Sequence, residues 1–174
     1  RHYVIAPAAA TGSDFELLRL FVEIDSSNNQ WGTSIFDRNS QGIAAVGTDV
    51  PTIDIGRFVE ATICHRTLPR NESSSRPPTV LLKVDIEGAE FMVYASLLSH
   101  NAFCCINALT QELHWVIFPA KVLSHMKQLY SSIVGLAQSR FGCDSFPSIS
   151  PTQFLDIDDE SYLRDGIPFP TPHI

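Results

Sequence analysis

The stretch LLKVDIEGAEFMVY, residues 81–94, decides how this chain is read. It begins inside TVLLKVDI (79–86), a short apolar run bounded by Pro78 and Gly88, which has the form of a strand covered on both faces. It then places Asp85, Glu87 and Glu90 within six positions and runs on as GAEFMVYASLLSH, a predicted helix. The following AFCCINALTQELHW predicts a second strand near 103–110 that again ends in an acid, Glu112. Pro119 suits the first turn of another helix, where Val122, Met126, Leu129, Tyr130 and Ile133 recur at helical spacing. Strand–helix–strand–helix over 79–133 is the pattern of β-α-β crossovers and a parallel sheet. Ligands of such sheets bind at the carboxyl ends of the strands, so Asp85, Glu87 and Glu112 are expected on one rim.

Carboxylates crowded at a sheet mouth repel, which raises the pKa of at least one and makes it a candidate general base. The same acids also suit the hydroxyls or the ammonium group of a ligand. Gly88 lets the backbone turn sharply from strand to helix. Glu90 falls in the first helical turn, where the helix dipole favours a negative charge. Glu112-x-His114 is too sparse a set for a metal, and the other histidines have no ligand spacing, so no metal is expected. His114 reads as a base or an orienting group if the strand ends form a site. The acidic run DIDDE (156–160) lacks the glycine and the final glutamate of a calcium loop.

Outward from this segment, LLRLFVEID (17–25) and WGTSIFD (31–37) read as the strands of a hairpin around the turn SSNNQ. AAVGTDVPTIDI holds an extended run ending at Ile53. Asp54 then caps a helix over 55–64 with Ile55, Phe58, Val59, Thr62 and Ile63 on one face. HRTLPRNESSSRPPT (65–79) is a polar surface insertion, a strand lies near 152–157, and 158–174 form an irregular tail. The four cysteines make no C-x-x-C, and Cys104 and Cys105 are adjacent, so all four read as buried small hydrophobes.

With 174 residues, 44% hydrophobic and 18% charged, the chain has the composition of one globular domain. A net charge of −7 argues against a broad electrostatic grip on nucleic acid or anionic lipid. No apolar run reaches the length of a membrane segment. Cytoplasm and secretory-pathway lumen are not distinguished.

LLKVDIEGAE (81–90) followed by ELHW (112–115) resembles the FkbM-type methyltransferases. Members carry Lys-x-Asp-x-Glu-Gly-Ala-Glu on the fourth strand and Glu-x-His at the end of the fifth. VPTIDIGRF (50–58), WGTSIF (31–36) and DIDDESYLRDG (156–166) resemble flanking segments of that family. The resemblance implies an α/β class I, Rossmann-like, mostly parallel sheet, and here an incomplete one. The family's first two strands, with the glycine-rich cofactor loop, have no counterpart, so the chain reads as the C-terminal portion of one methyltransferase domain. It also implies S-adenosylmethionine as cofactor and O-methylation of a hydroxyl on a sugar or small natural product, that is, a small-molecule or glycan acceptor. By the same resemblance Asp85 and Glu87 stand beside the methionine end of the cofactor and the acceptor. Glu112 and His114 line the acceptor side, and Ala8 and Ala9 lie near the adenine. Asp85 or His114 is the expected base. The missing loop leaves a second expectation, a degenerate methyltransferase-like module that binds without catalysis.

Overall fold

The structure, a computed structural model, describes residues 9–14, 16–24, 35, 37, 44–66, 79–86, 88–115, 118–143 and 151–156. The elements are β1 (Ala9–Thr11), β2 (Leu17–Glu23), β3 (Ala45–Asp54), α1 (Ile55–Val59), β4 (Leu81–Val84), α2 (Glu90–Ser99), β5 (Ala108–Gln111), α3 (Ala120–Gln138) and β6 (Gln153–Asp156). They form two three-stranded sheets, ordered β1-β3-β2 and β4-β5-β6. The first is mixed, with β3 parallel to β1 and antiparallel to β2. The second is wholly parallel. The chain is therefore a mixed α/β protein with a parallel sheet where the strand–helix alternation predicts one. Residues 67–78 of the expected insertion and the whole of the expected tail, 158–174, lie outside the described residues.

In the first sheet β2 pairs with β3 from Leu17↔Pro51 to Glu23↔Ala45. The expected hairpin partner of β2, residues 31–37, lies largely outside the described residues, and β3 is the antiparallel partner seen. Asp54 caps α1 as expected, its carboxylate accepting the Arg57 N–H at 3.1 Å. The helix then widens into a π-turn at Glu60–Cys64. That extra residue per turn rotates the face, so Thr62 is exposed instead of sharing the buried side with Val59. Gly56 sits where α1 meets α2: a Cβ there would collide with the backbone and hydroxyl of Ser96.

The main core lies between the parallel sheet and its helices. Val84 and Leu109 pack with Val93, Tyr94 and Leu97 of α2 and with Ile133 and Ala137 of α3. Burying an aliphatic or aromatic side chain of this kind contributes about 1.5–3 kcal/mol. β4 departs from the expected strand covered on both faces. Val84 is buried, but Leu81 is 64% exposed and Lys83 is also exposed. Those two alternate onto a face that no described helix covers. Leu129 likewise falls outside the buried stripe of α3 and is exposed.

Two disulfides correct the reading of the cysteines: Cys64 is bonded to Cys105, and Cys104 to Cys143. Both meet in a 3-10 turn at Ala102–Cys105, entered through Asn101 in a left-handed conformation. This turn occupies the start of the strand expected near 103–110, and β5 begins only at Ala108. Within that turn the adjacent Cys104 and Cys105 reach different partners, Cys143 and Cys64. Among the described residues no helix is long and apolar enough to cross a membrane.

Candidate functional site

Register brings the acids together. β4 and β5 run parallel with Val84 opposite Gln111, and Gln111 is in turn opposite Asp156 of β6. The three strands therefore end level, and Asp85 and Glu112 leave them side by side. The Glu112 N–H donates to the Val84 carbonyl at 3.1 Å, which extends the pairing one step past the strands. Gly88 takes φ 100°, the left-handed region that glycine enters without a steric cost, and the chain reverses into α2.

That reversal places Glu90 inside the protein with 0% exposure. Its Oε1 accepts from the Gly88 N–H at 3.1 Å and lies 2.7 Å from His114 Nδ1. With Nδ1 engaged by Glu90, Nε2 is the nitrogen that faces the rim carboxylates. From Nε2, Glu112 Oε1 is 3.8 Å away and Asp85 Oδ1 is 4.0 Å away. One ligand atom from each of Asp85, Glu112 and His114 lies within 4.8 Å of the others. Asp85 Oδ2 also faces Lys83 Nζ at 3.3 Å. Asp85 is the most open of the three, with 32% of its side chain exposed, against 18% for Glu112 and 14% for His114.

The floor of the site is a buried hydrogen-bond network. Gln111 is fully buried and accepts from the Tyr94 hydroxyl at 2.7 Å, while its amide donates to Asp156 at 2.5 Å and to Tyr130. Burial pushes the Tyr94 phenol well above its usual pKa, with Glu90, Tyr130 and Asp156 adding to the shift. Tyr130 is raised too, first by burial. Both phenols therefore stay neutral and act as fixed donors and acceptors. Next to His114, the Trp115 ring packs 5.5 Å from Phe91 and 5.8 Å from Tyr130, with Lys127 over its face.

Of the residues singled out in the sequence, Asp85, Glu112 and His114 converge. Glu87 and Ala8 lie outside the described residues. Ala9 does not join this rim: it is in β1 of the other sheet, paired with Thr52. Glu90 is the residue that sequence reasoning undervalued. Its place in the first turn of α2 agrees with a dipole role, but its side chain turns inward to hold a histidine on the next strand.

A second polar cluster joins β3 and α1 to α2. Asp54 accepts from the Ser96 hydroxyl at 2.5 Å and meets His100 at 3.0 Å, while Ser96 Oγ accepts the Gly56 N–H at 2.8 Å. Burial works against the Asp54 carboxylate, but Ser96, the Arg57 N–H and His100 outweigh it and hold its pKa below the usual range. These groups saturate one another across the junction and leave the rim at the opposite end of α2 as the candidate site. No family model, no curated protein and no solved structure matches this chain.

Proposed function

We propose that this chain belongs to an S-adenosylmethionine-dependent O-methyltransferase of the FkbM type. In this reading it is the C-terminal portion of an incomplete class I sheet, and the acceptor is a hydroxyl on a sugar or small natural product. The supporting observation is the convergence of Asp85, Glu112 and His114 at the carboxyl edge of adjacent parallel strands, with buried Glu90 behind the histidine. The donor set suits one end of the cofactor. Its methionine half carries an ammonium and a sulfonium, and an acidic rim favours both. S-adenosylmethionine, when bound, supplies a methyl group on a cationic sulfur that leaves as a neutral thioether.

The chain's own residues then have two tasks. Asp85, the most exposed acid, faces the cationic end of the cofactor. Glu112 and His114 hold the acceptor hydroxyl, and its proton passes to the base at this rim, Asp85 or His114. Holding the acceptor in line accounts for about 7–11 kcal/mol of the barrier. Assistance to proton loss adds about 10²–10⁴-fold. Glu90 fixes the tautomer and the plane of His114, so that Nε2 points at the rim without reorganisation.

The test is titration calorimetry of the full-length protein with S-adenosylmethionine in EDTA, for wild type and Asp85→Asn. The expected result is saturable binding, weakened about 10–100-fold in the variant by loss of a charge-assisted contact. Absence of binding, or equal binding by the variant, overturns the reading.

The disulfides favour a second reading. They persist in oxidising compartments. An enzyme there needs its cofactor delivered, whereas a degenerate methyltransferase-like module that only binds an acceptor does not.

A further inference from the structure

We propose that Asp85, Glu112 and His114 bind one first-row divalent cation, with Glu90 as the residue that positions the histidine ligand. The donor atoms are Asp85 Oδ1, Glu112 Oε1 and His114 Nε2, all within 4.8 Å of one another. Ligands about 2.1 Å from a tetrahedral ion stand about 3.4 Å apart. The Nε2 to carboxylate separations of 3.8 and 4.0 Å are only slightly wider. Small rotations of the two rim carboxylates close that gap, and Asp85, 32% exposed, has room to make one.

A second observation points the same way. Glu90 is wholly buried, and its Oε2 has no hydrogen-bond partner among the described residues. A buried, half-satisfied carboxylate is costly unless its charge is compensated nearby. Through His114 Nδ1 it forms the carboxylate–histidine arrangement that orients metal-bound imidazoles. Asp85, Glu90 and Glu112 bring three carboxylates around a single imidazole; Lys83, 3.3 Å from Asp85, offsets one of these formal charges, and a dication at the rim offsets the other two.

The ligand set selects the ion. Two carboxylate oxygens and one imidazole nitrogen suit Mn²⁺, Fe²⁺ or Zn²⁺ better than Mg²⁺, which prefers oxygen and keeps its waters. The purpose of the cation rests on the transfer reading above: an acceptor hydroxyl bound to it is acidified, and the proton passes to solvent. In that state His114 is a ligand and the cation is the activating group.

The experiment is titration of metal-free full-length protein with Mn²⁺, read by the loss of the free-ion paramagnetic resonance signal, with Mg²⁺ as a parallel arm. One ion per chain is expected, with Mg²⁺ at least tenfold weaker. Asp85→Asn and Glu112→Gln, both at the partly exposed rim, weaken Mn²⁺ at least tenfold while circular dichroism is unchanged. Glu90→Gln weakens it about 10–100-fold. Absence of saturable binding, or rim variants that bind like wild type, overturns the site. Equal affinity for Mg²⁺ removes His114 from the coordination and also overturns it. Retained cofactor binding alongside absent Mn²⁺ binding overturns this site alone. Mn²⁺ binding without cofactor binding upholds the site and overturns the transfer reading.

Discussion

Reducing the two disulfides brings the domain to the edge of unfolding. Cys64–Cys105 closes a loop with a sequence separation of 41, and Cys104–Cys143 one of 39. Loop-closure entropy assigns each about 4 kcal/mol. The two loops overlap only at Cys104 and Cys105, so their contributions are close to additive, about 8 kcal/mol together. An ordinary domain has about 5–15 kcal/mol in all. Each crosslink also ties a different element to the same 3-10 turn: Cys64 ends the π-turn after α1, and Cys143 lies beyond α3. The perturbation is Cys64→Ala/Cys105→Ala and, separately, Cys104→Ala/Cys143→Ala, with chemical reduction as a third arm. Thermal unfolding of each double variant should fall by roughly 8–16 °C, taking 2–4 °C per kcal/mol for a chain of this size. Non-reducing peptide mapping should recover the two stated pairs. Four free thiols in the folded protein, or a melting temperature indifferent to reduction, would refute the pairing and with it the inference of an oxidising compartment.

Three further outcomes follow from the packing. Gly56→Ala forces a methyl into the Ser96 backbone at the α1–α2 contact and should cost about 1–3 kcal/mol or more, read by urea denaturation. The folded pKa of Asp54 lies below its unfolded value, so its stabilising effect is complete above the unfolded pKa, about 4, and is lost as pH falls through the folded one. Asp54→Asn should therefore flatten the acid limb of a stability–pH profile, and an unchanged limb would show that Asp54 does not supply it. Gln111→Leu leaves the Tyr94 hydroxyl without its acceptor and should cost about 1–3 kcal/mol by the same denaturation assay.

Much of this architecture is visible in the residues themselves. An apolar run, an acid, a glycine and an amphipathic helix predict β4, its turn and α2, because each local preference agrees with its neighbours. Parallel pairing then places Asp85 and Glu112 abreast, since strands of equal length in register end together. Asp54 as a helix cap is equally legible, because a cap depends on residues three positions apart. What escapes the sequence depends on distance along the chain. The disulfides join residues 41 and 39 positions apart, and no spacing rule pairs adjacent cysteines with distant ones. The late start of β5 goes with a 3-10 turn entered through a left-handed Asn101, in a segment whose composition favours a strand. The inward turn of Glu90 depends on a partner 24 positions away, so a first-turn glutamate reads as a dipole effect until the fold brings His114 behind it. The open face of β4 reflects what packs against it, which alternation alone does not reveal.

The central claim is that the level ends of β4 and β5 form a ligand site through Asp85, Glu112 and His114. The measurement that tests it most directly is methyl transfer from labelled S-adenosylmethionine by the full-length protein to a panel of hydroxyl-bearing sugars and small natural products, for wild type and His114→Ala. The account predicts label on an acceptor oxygen with wild type and a fall of at least about 10²-fold in the variant with its fold intact. Undiminished transfer by folded His114→Ala would contradict it.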